Sequence, residues 1–232
     1  EVLSVLRRIA KDKNSPFHVV QDETRLTIRK DSSFNLKTPE RLYTGLKLDL
    51  IGDHQKSNGS LAIRAAEICE GQTGVDESSI RVGLREAGKI SGLRGRLEQV
   101  HNDPIILVDV AHNVEAIEAG LATAGRLFGG VSHAYIGLLN DKDAGSIARI
   151  LSEYHVVVST VGIESDRGLD PLELASIFRS AGVKVEDEDI LIGPAMDRFI
   201  QTSDVGDALL VTGSHIVAAE ALMWTDNLAR LA

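Results

Sequence analysis

The chain has 232 residues, of which 43% are hydrophobic, and a formal net charge of -9 at pH 7. This charge argues against a nucleic-acid partner, because phosphate binding requires a basic surface. No apolar stretch reaches the roughly 20 residues of a membrane span, and no signal-peptide pattern opens the sequence. The single cysteine, Cys69, excludes a disulfide framework within one chain. We therefore expect a monomeric cytoplasmic protein without a membrane partner.

The first ninety residues begin with mixed helical and extended patterns. Apolar residues recur with helical spacing over Val2–Ala10. Short alternating runs then predict strands at 17–20, 25–29 and 41–50. We interpret residues 1–90 as the tail of one domain.

Two further helices are predicted within this segment. The first begins at Ser57 or Asn58 and ends near Cys69, whose thiol we expect to be buried on an apolar face. The second begins at Asp76, whose acidic side chain favours a helix start. We expect it to end with Gly88 at the C-cap.

After a glycine-rich linker at residues 89–95, the pattern changes to alternating strands and helices. The predicted strands are Ile105–Val108, Ala134–Leu139, Val156–Val161 and Ala208–Val211. The predicted helices are 114–128, 143–153, 170–182, 194–203 and 216–228. This alternation predicts an α/β domain over residues 91–232, a doubly wound and mainly parallel sheet with helices on both faces.

An acid and a histidine follow the first strand of this domain, in the sequence Asp109-Val-Ala-His112-Asn113. Ligands of open parallel sheets bind outside the carboxyl ends of the strands, and Asn113 is suited to cap the next helix. Asp109 and His112 are therefore candidate site residues. A lone D-x-x-H is more often a capped turn with a surface histidine, so the assignment depends on other motifs.

Five segments together resemble folylpolyglutamate and dihydrofolate synthases, which are Mur-ligase-like enzymes. In chain order they are Gly52-Asp-His-Gln-Lys-Ser-Asn58, Leu93-Arg-Gly-Arg-Leu-Glu98, Asp109-Val-Ala-His-Asn113, Gly137-Leu-Leu-Asn-Asp-Lys-Asp143 and Val211-Thr-Gly-Ser214. The first three match the family's G-x-H-Q-x-x-N, G-R-L-E and D-G-A-H-N segments in order and local spacing. Val110 replaces the usual glycine and Val114 the usual proline. Because valine disfavours a positive φ, we expect a differently shaped turn at Val110.

The resemblance implies an enzyme that uses ATP and Mg²⁺ to activate the carboxylate of folate or dihydropteroate and then joins it to L-glutamate. It places Asn58 near the adenine, with His54 and Gln55 shaping that loop. Arg96 would reach the nucleotide phosphates, for which a guanidinium is well suited. As alternatives, Asn58 is a helix N-cap, and Arg96 is a solvated arginine with Arg94 beside it as a rival.

The remaining candidates concern the reacting groups. By the same resemblance, Asp109 and His112 lie beside the nucleotide and the reacting carboxylate, where they orient and form hydrogen bonds. Lys142 and Ser214 would contact the incoming glutamate. The alternatives are a solvated loop lysine and an N-cap of the final helix. No residue is assigned as a metal ligand.

The sequence contains no phosphate-binding loop of the type G-x-x-x-x-G-K-[ST], which ligases of this kind carry. The segment Ala87-Gly-Lys-Ile-Ser91 lacks the upstream glycine and the preceding strand. We therefore interpret the chain as the C-terminal portion of a longer ligase, inactive alone, with residues 1–90 belonging to the central ATP-binding domain. A stand-alone nucleotide- or protein-binding module explains the missing loop equally well. A dinucleotide-binding oxidoreductase is disfavoured, because no G-x-G-x-x-G follows Ile105–Val108.

Overall fold

A computed structural model describes the backbone of residues 2–231 and the side chains of residues 2–228. The chain divides into two compact units. The first takes in residues up to Asp49 together with Asp53–Ala87, and the second takes in Leu50–Gly52 together with Gly88 onward. No helix among the described residues is long and apolar enough to cross a membrane.

The first unit contains a sheet of three described strands, in which neighbours run antiparallel in the order β1-β2-β3. The strands are β1 (Arg25–Ile28), β2 (Phe34–Lys37) and β3 (Leu42–Leu46). The helices are α1 (Val2–Asp12), α2 (Val20–Glu23), α3 (Asp53–Thr73) and α4 (Glu77–Arg85), with α5 (Ala87–Ser91) at the junction of the units. Their shared core consists of Phe34, Leu36, Tyr43, Leu46, Ile63, Ile80 and Leu84.

An ionic cluster lies beside this core, centred on Glu67, whose side chain is 0% exposed. The Glu67 carboxylate accepts hydrogen bonds from Thr38 Oγ1 at 2.8 Å, Tyr43 Oη at 3.0 Å and Arg64 Nη1 at 3.3 Å. Arg64 also donates to Glu23 at 2.7 Å. Burial, with the hydrogen bond to Glu67, raises the pKa of the Tyr43 hydroxyl to about 12. The cluster therefore satisfies its buried polar groups internally.

Several predictions for the first unit are wrong. The predicted strand at 17–20 is absent from this described segment, where α2 begins at Val20. Helix α3 begins at Asp53, before Asn58, and Cys69 is exposed because α3 buries a largely polar face that includes Arg64 and Glu67. Gly88 lies within α5, and the C-cap of α4 is Glu86. The helix start at Asp76 is confirmed, since its carboxylate accepts the Ser79 N–H.

The second unit contains a sheet of five described strands in the order β4-β5-β8-β6-β7. Strand β4 pairs antiparallel with β5, and the other pairs are parallel. The strands are β4 (Glu98–Asn102), β5 (Ile105–Val108), β6 (His133–Ile136), β7 (Val157–Thr160) and β8 (Ala208–Thr212). The helices are α6 (Val114–Phe128), α7 (Ala144–Glu153), α8 (Pro171–Ser180), α9 (Ile192–Thr202) and α10 (His215–Leu231). The predicted α/β architecture is confirmed.

Helices cover both faces of this sheet because the parallel strands are apolar on both sides. Leu107 and Leu210 pack on one face in a cluster with residues of α6, α7 and α8. Leu209 and Val211 pack on the other face with residues of α9 and α10. Strand β4 was not predicted, because an edge strand with the sequence Glu-Gln-Val-His-Asn lacks an apolar run.

Candidate functional site

The candidate site lies at the carboxyl edge of the parallel strands of the second unit. Strand β8 lies between β5 and β6 in the sheet, yet the helices that follow these strands diverge. Helices α6 and α7 pack on one face, whereas α10 packs on the other. A place where neighbouring strands send their helices to opposite faces leaves a crevice, where ligands of open α/β sheets bind.

A cavity of about 260 Å³ is located at this crevice. Its lining residues come from three strand ends that are far apart in sequence. They are His112, Leu139, Lys142, Gly213, Ser214, His215 and Ile216. The structure thus brings together three residues predicted from sequence, His112, Lys142 and Ser214, and adds His215.

Gly213 allows the end of β8 to approach the end of β6 closely. Gly213 follows β8 with a φ of +104°, and a Cβ at this position would lie 2.4 Å from the Gly137 carbonyl oxygen. The Gly213 N–H donates to the Ala111 carbonyl at 2.9 Å. The same carbonyl accepts the Thr212 hydroxyl at 3.1 Å. A side chain at Gly213 would therefore separate the turn after β8 from its neighbours.

Asp109 directly follows β5 and is nearly buried. Its Oδ1 accepts the Ala111 N–H at 2.9 Å, which closes the turn. Burial raises the pKa of the Asp109 carboxyl from 3.8 to about 6, against the opposing effects of the Ala111 N–H and the Arg96 charge. Asp109 is not among the residues that line the cavity, whereas His112 of the same turn is.

His112 is held in a defined orientation by its own turn. Its Nδ1 lies 3.0 Å from the Val110 carbonyl oxygen. Because a carbonyl can only accept, Nδ1 carries the proton, and in the neutral ring Nε2 is a free acceptor. The ring lies 5.8 Å from the ring of His215, centroid to centroid. His215 was missed from sequence, and its position directly after the Val-Thr-Gly-Ser segment is the signal that could have indicated it.

Val110, which replaces the glycine of the family pattern, lies outside the left-handed region. Its side chain is buried, and its N–H donates to the Gly95 carbonyl at 2.9 Å. A Cβ on Gly95 would lie 3.1 Å from Val110 Cγ1. The turn thus uses the valine for packing against Gly95.

Lys142 and Ser214 have partners within the protein as well. Lys142 Nζ lies 3.2 Å from an Asp141 carboxylate oxygen. Ser214 is buried, and its Oγ accepts the Val217 N–H at 3.1 Å. Ser214 is therefore the N-cap of α10, the alternative derived from sequence, and it lines the cavity at the same time.

The two neighbouring arginines differ in their surroundings. Arg94 donates to Glu98 at 2.6 Å and to Asp226 at 3.3 Å. Arg96 acts electrostatically on Asp109 and has no ion-pair partner within 4 Å in the described part of the chain. Arg96 is thus the arginine whose guanidinium remains available to a ligand.

The three candidates of the first unit lie together at the start of α3. Asn58 Nδ2 donates to Gln55 Oε1 at 3.1 Å, across one turn of the helix. Gln55 is buried, whereas His54 and Asn58 are exposed. Because α3 begins at Asp53, the N-cap alternative for Asn58 is wrong.

Within the described side chains of residues 2–228, no three from His, Cys, Asp or Glu come together as a metal site. The Asp109 carboxylate is already engaged by backbone N–H groups.

Comparisons with known proteins identify the family of the chain. The family model "Mur ligase, glutamate ligase domain" matches residues 95–215. A probable bifunctional folylpolyglutamate synthase/dihydropteroate synthase of Haloferax volcanii is 30% identical over 78% of this chain and 21% of its own length. A dihydrofolate synthase/folylpolyglutamate synthase of Bacillus subtilis is 33% identical over 51% of this chain and 28% of its own.

Solved structures share the fold over nearly the whole chain. E. coli FolC in complex with DHPP and ADP has a TM-score of 0.79 at 24% identity, covering 98% of this chain and 51% of that one. Mycobacterium tuberculosis folylpolyglutamate synthase, complexed with ADP and AMPPCP, has a TM-score of 0.74 at 24% identity, covering 97% and 52%. This chain thus spans about half of these structures and less of the curated relatives. With more than half of its residues matched by the family model, the chain belongs to the Mur ligase family and carries its glutamate ligase domain.

Proposed function

We propose that the chain is part of an ATP-dependent ligase that joins L-glutamate to folate or dihydropteroate. The observation that carries the proposal is the cavity at the crevice of the sheet, lined by His112, Lys142 and Ser214. Its volume of about 260 Å³ is below the roughly 300–1,000 Å³ of pockets for drug-sized ligands, which suits a small metabolite. The folate names of the relatives and the family's description support the same substrates.

The reaction proceeds in two steps. The substrate carboxylate attacks the γ-phosphorus of ATP, which gives an acyl phosphate and ADP. The glutamate ammonium group then loses one proton, the neutral amine attacks the acyl carbon, and phosphate leaves as the nitrogen loses a second proton to form the amide. Both steps require neutralisation of phosphate charge and correct placement of the amine.

Arg96 supplies the charge for the phosphates. Its guanidinium stays protonated at any relevant pH and offers a planar fork of donors to phosphate oxygens. Asn58 can pair with the adenine edge, because its amide provides both a donor and an acceptor. Gln55 supports Asn58 through the hydrogen bond across the first turns of α3, and His54 is exposed beside them.

His112 orients the amine of the incoming glutamate. Its Nδ1 proton is directed to the Val110 carbonyl, so Nε2 can accept a hydrogen bond, or a proton, from the glutamate ammonium group. Asp109 stabilises the turn that carries His112 through the Ala111 N–H. Asp109 is therefore a positioning residue in this proposal.

Lys142 and Ser214 bind the carboxylates of glutamate. The Lys142 ammonium group provides a cation at the cavity, and its exposed partner Asp141 is shared with Arg167. The Ser214 hydroxyl accepts the Val217 N–H and retains its own proton for donation to a carboxylate.

Mg²⁺ is expected to accompany ATP, as in ligases that transfer a phosphoryl group. The inactivity of residues 1–232 by themselves stays a prediction, which follows from the lack of a G-x-x-x-x-G-K-[ST] loop in the sequence.

A ligation assay on the full-length protein tests the proposal. The protein is incubated with ATP, L-glutamate and either folate or dihydropteroate, and the product mass and ADP release are measured. Lys142→Met should raise the KM for glutamate about tenfold, since a charge-assisted contact is lost. Lys184→Met, at an exposed lysine outside the cavity, is the matched control and should leave KM unchanged.

If the wild-type protein binds ADP but releases no ligated product, the proposed ligase activity is contradicted. That result would favour the binding module, in which the same fold holds a nucleotide without chemistry. Equal KM values for the two lysine variants would contradict the assignment of Lys142.

A further inference from the structure

Arg96 lies between two residues with left-handed backbones. Gly95 has a φ of +66° and Leu97 a φ of +51°. This conformation is unfavourable for leucine, whose Cβ approaches its own backbone. Non-glycine residues keep such conformations only where their surroundings hold them, and such residues concentrate at functional sites.

The residue after Arg96 is fixed by the core and by Asp109. Leu97 is 0% exposed and packs with Leu107, Ile117 and Leu121. Its backbone N–H also interacts with the Asp109 carboxylate and lowers the pKa of that group. The leucine therefore faces inward and cannot change its conformation without leaving the core.

The residue before Arg96 is fixed by Glu98. One oxygen of the Glu98 carboxylate accepts the Gly95 N–H at 2.8 Å, and the other accepts Arg94 Nε at 2.6 Å. The Gly95 carbonyl in turn accepts the Val110 N–H at 2.9 Å. Glu98 thus closes the loop around Arg96 through the Gly95 N–H and the Arg94 side chain.

We propose that Glu98 is a positioning residue for Arg96, which it holds in the orientation that meets the phosphates of a nucleotide. This inference rests on the proposed function, because it assumes that Arg96 binds those phosphates. The carboxylate is required because it faces two donors, Gly95 N–H and Arg94 Nε. Glutamine has one oxygen for two donors, and its amide NH₂ would face the second donor.

A double-mutant cycle in the full-length protein tests the inference. Glu98→Gln, Arg96→Gln and the double variant are compared by their KM for ATP at saturating glutamate and folate. Glu98→Gln should raise the KM for ATP about tenfold and leave the KM for glutamate unchanged, since misplacement of a phosphate-binding group weakens only the contacts of that group. In the Arg96→Gln background, Glu98→Gln should add less than about twofold, because both changes remove one interaction.

The matched control is Glu188→Gln. The Glu188 side chain is 28% exposed and paired with Arg179, whereas the Glu98 side chain is 29% exposed and paired with Arg94. This variant should leave the KM for ATP unchanged. If Glu98→Gln does not fold, Glu98→Asp keeps the charge with a shorter reach and should raise the same KM.

A second readout is independent of turnover. Backbone amide hydrogen exchange at Gly95 and Arg96 should be faster in Glu98→Gln than in the wild type, without any nucleotide present. The positioning role would be overturned by any one of three results. These are unchanged amide exchange at Gly95 and Arg96, an unchanged KM for ATP in Glu98→Gln, or a KM for ATP in the double variant that equals the product of the two single effects. A wild-type protein with no ATP-dependent ligation would overturn the proposed function and this role with it. An active wild type whose Glu98→Gln variant behaves like Glu188→Gln would overturn the role of Glu98 alone.

Discussion

Glu67 in the first unit and Asp109 in the second are both carboxylates with little exposure to solvent, but their partners differ. Glu67 is surrounded by side-chain donors, namely Thr38, Tyr43 and Arg64. Asp109 is held by backbone N–H groups, and the charge that acts on it comes from Arg96. Asp109 also lies at the carboxyl edge of the parallel strands, whereas Glu67 lies beside the core of the first unit.

This difference shows that burial of an acid does not by itself mark a site. The Glu67 carboxylate accepts hydrogen bonds from side-chain donors that would otherwise be buried without a partner. The cluster therefore stabilises the fold. Backbone donors hold Asp109 in place, and the guanidinium of Arg96 remains available to a ligand. The expected consequence is that Glu67 governs stability and the Asp109 turn governs ligand binding.

The largest effect is expected from Glu67→Ala. Removing this carboxylate leaves the Thr38 and Tyr43 hydroxyls without their buried acceptor, while Arg64 keeps Glu23, which should lower the free energy of unfolding by about 3 kcal/mol. Glu70→Ala is the control, since Glu67 and Glu70 both pair with Arg41 but the Glu70 side chain is 40% exposed. It should cost no more than about 1 kcal/mol. Urea unfolding measures both, and equal losses would contradict the structural role of Glu67.

Arg96→Gln should have the next largest effect. We expect kcat/KM for ATP to fall about a hundredfold, because the phosphates lose a positively charged partner. Arg94→Gln removes exposed ion pairs with Glu98 and Asp226 and should cost far less. Steady-state kinetics with ATP as the varied substrate tests this. An equal loss in the two variants would remove the distinction drawn between the arginines.

Two substitutions of Ser214 distinguish its proposed role in glutamate binding from its role as the N-cap of α10. Ser214→Gly keeps most of the capping preference, whereas Ser214→Ala should destabilise the protein by about 1 kcal/mol more. Both variants should raise the KM for glutamate to a similar extent, about tenfold, because each loses the hydroxyl that donates to a charged group. A KM for glutamate that rises only in the alanine variant would assign Ser214 to capping alone. Urea unfolding and steady-state kinetics are the two measurements.

The smallest effect concerns the pH dependence of stability. The native pKa of Asp109, about 6, lies above its usual 3.8, so the native state binds more protons than the unfolded chain between these values. Stability should therefore decrease as the pH rises through this window, by about 1 kcal/mol between pH 5 and pH 7. Asp109→Asn removes this contribution. Urea unfolding of the wild type and the variant at pH 5 and pH 7 measures this contribution. If the free energies of unfolding of the two proteins change equally with pH, the pKa of Asp109 is not raised.

The sequence predicted the second unit better than the first, for a physical reason. Strands β5 and β8 are apolar along their length because both of their faces are covered, and helices α6 and α8 begin at the local caps Asn113 and Asp170. Helix α3 misled the prediction, since its buried face carries Arg64 and Glu67, which need partners distant in sequence, such as Glu23, Thr38 and Tyr43, besides each other. Strand β4 is likewise recognisable only through its pairing with β5.

The sequence by itself determined the family motifs, the alternation of strands and helices in residues 91–232, and the positions of Asp109, His112 and Ser214 at strand ends. These features depend on neighbouring residues and on apolar periodicity, which the linear sequence contains. Only the tertiary structure decided that Arg94 pairs with Asp226, that Arg96 has no ion-pair partner within the described residues, and that His215 lies beside His112. Such contacts join residues that are far apart in the chain, and they exist only once the strand order has brought the ends of β5, β6 and β8 to one edge.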